Sequence, residues 1–143
     1  MKTLDPIAQI QANPQMYLRG GQVDGVDLAR QLAGDAIYLG AKRVQIMEVN
    51  DWLLVAADLD WIKKSAQTGI NDVFSRIIPF PQAGVNSMRS EVLLGAFADN
   101  VFTADTSGHE IVKGQAPKDS DVYRAAKEEN WARVVAFRIA RKR

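Results

Sequence analysis

The feature that most limits the fold is a pair of residues, Asn50-Asp51, set between two runs that read as strands, Arg43 to Val49 and Trp52 to Asp58. Asn and Asp tolerate the left-handed backbone of a two-residue turn, so the runs are expected to form a tight antiparallel hairpin. The second run opens Trp52-Leu53-Leu54-Val55-Ala56-Ala57 and is apolar without a break, which places it centrally in a sheet. A second hairpin is expected further on, from Val101-Phe102-Thr103-Ala104 through the turn Thr106-Ser107-Gly108 to Ile111-Val112-Lys113. Val135, Phe137 and Ile139 alternate with Ala136 and Arg138, the pattern of a half-buried final strand. Its Val135-Ala136-Phe137 segment is read as a hydrophobic edge on which two chains could pair as a dimer.

Helices fill the intervals. Asp5-Pro6 reads as an N-cap followed by proline at the first helical position, and Asn13-Pro14 closes that short helix. Asp24 caps a longer helix in which Val26, Ala29, Leu32, Ala33, Ala36 and Ile37 form an apolar stripe, and Gly40 ends it. Further helical segments are expected over Trp61 to Gln67, Asn71 to Ile78, Ser87 to Ala98 and Asp121 to Glu129, with Pro79-Phe80-Pro81 as a break. The order of helices and hairpins gives an α+β two-layer sandwich, helices on one face of a mixed, mostly antiparallel sheet. It is not a run of βαβ units. The 143 residues are read as one domain, 1–143.

Composition removes several kinds of chemistry. There is no cysteine, so disulfides, thiolate catalysis and cysteine zinc sites are excluded. The lone His109 excludes a histidine metal cluster; it follows a turn glycine and is expected to be exposed. A net charge of +1 gives no global field toward nucleic acid or membrane. The basic run Arg138-Ile139-Ala140-Arg141-Lys142-Arg143 reads as a solvated tail, with a phosphate-binding patch as the alternative. Met1-Lys2-Thr3-Leu4-Asp5-Pro6 lacks the apolar run of a secretory signal, and no apolar stretch approaches the ~20 residues of a membrane helix. A cytoplasmic protein without a membrane partner is expected.

The common nucleotide, protease and hydrolase motifs are absent from the sequence. Asp58 and Asp60, two apart at a strand end, offer at most a carboxylate pair without a third ligand. The order of segments says more. Asn13-Pro14-Gln15-Met16-Tyr17-Leu18 is similar to the Arg-Pro-x-Met-Tyr-Ile segment that opens the ATPase domain of DNA gyrase, and Gly25-Val26-Asp27 stands where that family has Gly-Leu-His. Asp58-Leu59-Asp60-Trp61-Ile62 stands where it has Asp-Gly-x-Gly-Ile, and Ala96-Phe97-Ala98 resembles its Ala-Leu-Ser helix end. From about residue 10 to 115 the chain thus resembles a degenerate, reduced GHKL domain with the Bergerat ATP-binding fold, the group of gyrase, heat-shock chaperone, histidine-kinase and mismatch-repair ATPases.

That resemblance carries its own expectations. The family's general base, a glutamate, falls at Gln31, which cannot accept a proton at neutral pH; loss of a positioned base costs ~10²–10⁴-fold in rate. The magnesium-binding asparagine falls at Asp35, which retains an oxygen ligand but adds negative charge beside a triphosphate. Asp58 matches the aspartate that binds the adenine amino group, while the two glycines beside it fall at Leu59 and Trp61. The lid and phosphate loop, expected between Gly69 and Met88, keep only Gly69 and Gly84, with two prolines between. Asp58, Asp35, Trp61 and Gly84 therefore mark a vestigial nucleotide pocket. Read without the resemblance, Asp58 is a turn residue, Trp61 a core residue, and Gln31 and Asp35 a polar face; Met16-Tyr17 is a core anchor in either reading.

The resemblance implies a non-hydrolysing module, with no cofactor, that binds a protein partner or a small ligand. Two alternatives stand beside it: a divergent domain that still binds ATP or ADP with magnesium through Asp58, and a nucleic-acid-associated accessory protein using the basic end.

Overall fold

The structure, a computed structural model, describes residues 5–65, 69–80, 84 and 87–139. The last residues of the helix expected to Gln67, most of the 81–86 segment and the basic end beyond Ile139 lie outside them. In chain order the elements are α1 (Pro6–Ala12), α2 (Pro14–Tyr17), a 3₁₀ turn (Arg19–Gly21), α3 (Gly25–Tyr38), β1 (Val44–Val49), β2 (Trp52–Ala57), α4 (Trp61–Ser65), α5 (Ile70–Ser75), α6 (Glu91–Phe97), β3 (Asn100–Asp105), β4 (Gly108–Lys113), α7 (Ser120–Lys127) and β5 (Arg133–Arg138).

Local chemistry accounts for the clearest boundaries. The Asp5 carboxylate accepts the Ile7 amide at 3.1 Å, and proline follows at the first helical position. In α3 the Asp24 carboxylate accepts the amides of Val26 at 3.0 Å and Asp27 at 3.3 Å, satisfying donors the helix leaves open. Asn50 and Asp51 adopt φ of 48° and 71°, the left-handed pair that a two-residue hairpin turn requires. Two helices are shorter than their apolar periodicity suggests. α5 stops at Ser75, and α6 begins at Glu91 because 78–80 and 87–89 pair as extended chain around the Pro79–Met88 bridge.

The α+β class is as expected. Every strand pairing is antiparallel, in the order β1-β2-β5-β3-β4. The final strand differs from expectation. β5 is hydrogen-bonded to both β2 and β3, and Arg133 to Phe137 are buried, so it is the central strand and has no free edge. Its alternation with Ala136 is between two cores, not between core and water. One face of the sheet, with Val55, Ala57, Val101, Val135 and Phe137, packs under α1, α3 and α6. The other face, with Trp52, Leu54, Phe102 and Val134, packs on Val122 and Ala126 of α7 and on Trp131. Helices therefore contact both faces. Burial of each large apolar side chain contributes about 1.5–3 kcal/mol, so the strands that feed both clusters hold the fold together. Met16 is not a core anchor. Its side chain is 75% exposed while the neighbouring Tyr17 packs against the core.

Candidate functional site

The buried polar centre of the molecule lies between α3 and the start of α6. Two main-chain bonds, Phe80 amide to Ser87 carbonyl at 2.8 Å and Arg89 amide to Ile78 carbonyl at 2.9 Å, close a clip that carries Arg89 inward. The Arg89 guanidinium lies 5.3 Å from the Phe80 ring centroid, and that ring meets Tyr38 edge-on at 6.1 Å. Arg89 is ion-paired with Glu91 and stands 3.5 Å from the Asp35 carboxylate. Asp35 also accepts the Ser90 amide at 2.7 Å. All four residues are buried.

Three ionisable groups withdrawn from water must share protons. Burial pushes the fully enclosed Glu91 carboxyl up to about 8, against which the Arg89 charge works only in part; the neighbouring Asp35 raises it further. Burial also raises Asp35, opposed by its hydrogen bonds from Glu91 and Ser90 and by the Arg89 charge. With the proton on Glu91 at neutral pH, Arg89 is left paired with Asp35 and keeps its hydrogen bond to Glu91 Oε1. The folded state holds this proton where an unfolded Glu releases it, near 4.5. Stability from this group is therefore complete below about pH 4.5 and is lost as pH rises toward about 8. Melting temperature measured between pH 5 and 9 should fall across that window for the native chain. Glu91→Gln, which mimics the protonated acid, should flatten the fall.

A second cluster lies on the same face of the sheet. Arg133 is almost fully buried and grips Asp60 with two bonds of 2.8 Å, through Nε and Nη2. Its Nη1 donates to the Thr103 hydroxyl at 3.1 Å, and Thr103 donates to the Val134 carbonyl at 2.8 Å. Asp105 lies 3.7 Å from both Arg133 and Lys63; hydrogen bonds from the Ser107 hydroxyl and amide hold its carboxyl below the usual range. Two hollows of about 240 and 200 Å³ flank the β3–β4 turn and share Asp105, Ser107 and Gly108.

The four residues expected to mark a pocket occupy different places. Asp58 is an exposed turn residue whose Oδ1 accepts the Lys42 amide at 3.0 Å and whose own amide donates to the Arg43 carbonyl. Trp61 is fully buried in the helix-side core. Gly84, at φ 138°, accepts the Ser87 amide between the arms of the clip. Asp35 alone belongs to the buried triad. Gln31 donates to Asp27 at 2.9 Å, a contact along one helix face. Asp58 and Asp60 do not form a carboxylate pair, because Asp60 turns inward to Arg133 while Asp58 turns outward to Lys42. His109 is exposed, as expected, with its ring 4.6 Å from that of Tyr123.

These residues do not fit a magnesium triphosphate. The Asp35 carboxylate already has an amide and a guanidinium beside it, and a cation there would have to displace both. Among the described residues no group of three or more His, Asp or Glu is placed to hold a metal ion, and no helix is long and apolar enough to cross a membrane. No protein-family model, curated protein or solved structure matches the chain.

Nothing in the sequence pattern had singled out Arg89, Glu91 or Arg133. Arg133 carries a signal: its parity with Val135 and Phe137 places a cation on a core face, and such a cation demands an acid. Arg89 and Glu91 carry none, since the segment around them reads as a helix with a polar side.

Proposed function

We propose that this chain is a GHKL-like module that does not hydrolyse ATP and acts in the cytoplasm by binding a protein partner. The observation that supports this reading is the triad: Asp35, at the place of the family's magnesium ligand, is engaged by Ser90 and Arg89. The space between α3 and α6 is filled by the chain's own charges. Gln31 in place of the general base points the same way, as does Trp61 buried where the family keeps a glycine against the base. Among the described residues, the two hollows beside the β3–β4 turn, about 240 and 200 Å³, are below the ~300–1,000 Å³ of drug-sized ligand pockets, which favours a protein partner over a small ligand.

Thermal melting with nucleotide tests the reading. A ligand at 100 times its Kd adds about 2.7 kcal/mol to stability, equivalent to roughly 5–11 °C for a chain of this size. ATP or ADP with magnesium at millimolar concentration should give no such shift. A shift that appears with the native chain and disappears in Asp58→Asn would overturn the proposal in favour of a surviving nucleotide site.

A further inference from the structure

The pairing of β1 with β2 fixes which way each β1 residue turns its main chain. The Asp58 amide donates to the Arg43 carbonyl at 3.1 Å, and the same ladder ends at the turn with Val49 opposite Trp52. In an antiparallel ladder the bonded residues alternate. Residues 43, 45, 47 and 49 therefore face β2, while Val44, Ile46 and Glu48 turn their N–H and C=O groups outward. β1 is an end strand, so among the described residues those groups meet no neighbouring strand.

The two edges of the sheet are protected unequally. β4 has a register irregularity in its pairing with β3 and exposes His109 and Glu110. β1 has no proline, no lysine and an unbroken register, and Ile46 at its centre is 40% exposed. Ile46 stands opposite Val55, so it lies on the face that α3 covers.

The outer flank of α3 continues this surface. Asp35 turns toward Ser90 and α6, and α6 lies toward β4, where Lys113 Nζ donates to the Gly95 carbonyl at 2.9 Å. At 3.6 residues per turn Ile37 is about 200° around the helix from Asp35, and Val26 lies within about 20° of Ile37. Both therefore occupy the flank over the open edge of β1, with exposures of 58% and 46%.

We propose that two copies of this chain pair through β1 about a two-fold axis at Ile46, continuing one antiparallel sheet across both copies and packing their α3 flanks together. The occupant is a second copy because the edge matches itself. An antiparallel strand that meets its own copy keeps faces aligned only when a residue, not a bond, lies on the axis. With Ile46 on the axis, Ile46 opposes Ile46, and Val44 opposes Glu48 of the second copy. Each of the three outward residues then both donates and accepts a main-chain bond. The axis is apolar, and Lys42 falls diagonal to Glu48 of the second copy, so opposite charges meet at both ends of the ladder. The central position of β5 removes the other candidate edge.

The proposal is independent of whether the chain binds nucleotide. Sedimentation velocity of the full chain across a concentration series should show reversible passage from one to two copies. Ile46→Lys, on an exposed edge position, sets two like charges on the axis and should weaken pairing by ~100-fold or more. As the chain has no cysteine, Ile46→Cys should give a disulfide-linked dimer under mild oxidation, at a spacing suited to the bond. Ile111→Cys on β4 should crosslink far more slowly. A native chain that remains a single copy at its highest soluble concentration would overturn the proposal. So would dimerisation unchanged by Ile46→Lys, or crosslinking as fast from Ile111→Cys as from Ile46→Cys.

Discussion

Replacing Arg89 with methionine is expected to lower folding stability by about 3–5 kcal/mol, the cost of removing one partner from a buried ion pair. For a chain of this length that is a fall of roughly 6–20 °C in melting temperature. Methionine conserves much of the apolar bulk of arginine and can still lie against Phe80, so the loss reports charge rather than volume. What remains in the variant is the Asp35 carboxylate, buried beside Glu91 with no cation. Arg89→Met combined with Asp35→Asn removes the stranded charge yet keeps an oxygen for the Ser90 amide. The pair should recover about half of the loss or more. Chemical denaturation of the native chain and the two variants measures both steps; failure of the second change to restore stability would show that Arg89 acts through packing.

The triad is also the part of the molecule least legible in its sequence. Hairpins and caps are short-range devices, so Asn50-Asp51 and Asp24 announce themselves within a few residues. Asp35 and Ser90 are 55 positions apart, and nothing local distinguishes a buried aspartate on α3 from a polar helix face. The same difference in range explains the misreading of β5. Val135, Phe137 and Ile139 show the period of a strand, which alternation reveals, but not how many neighbours it has; that is set by β2 and β3 closing on it from both sides. The extended start of α6 follows likewise from long-range pairing. Met88 and Val92 have helical spacing, but Pro79 lies opposite Met88 in the bridge and the Arg89 amide goes to Ile78. Trp61 was legible only when read without the resemblance, since a large indole after a strand is most simply core. The nucleotide pocket was read from an order of segments, and that order says where the residues stand in the chain. It does not say that Arg89 and Ser90 will have taken Asp35 for themselves.

Glycine-to-alanine exchange in two helices should have opposite effects. Helix propensity alone favours both changes by about 1 kcal/mol. At Gly34 in α3 an added methyl meets nothing within 4 Å, and Gly34→Ala should raise the melting temperature by about 2–4 °C. At Gly95 in α6 the added carbon would lie 2.0 Å from the Phe74 carbonyl oxygen and 3.2 Å from Ile7 Cδ1. The first obstacle is backbone at the end of α5, which cannot rotate away as a side chain does. α5 and α6 would have to separate, loosening the contacts of Val73 and Phe74, which are buried in the helix-side core. The Gly95 carbonyl also accepts Lys113 and that of Ala96 accepts Gln11, so displacement of α6 disturbs its links to β4 and α1 together. Gly95→Ala is therefore expected to cost at least about 2 kcal/mol despite its better propensity. Equal gains at both positions in thermal melting would show that α5 does not approach α6 at Gly95 as closely as this.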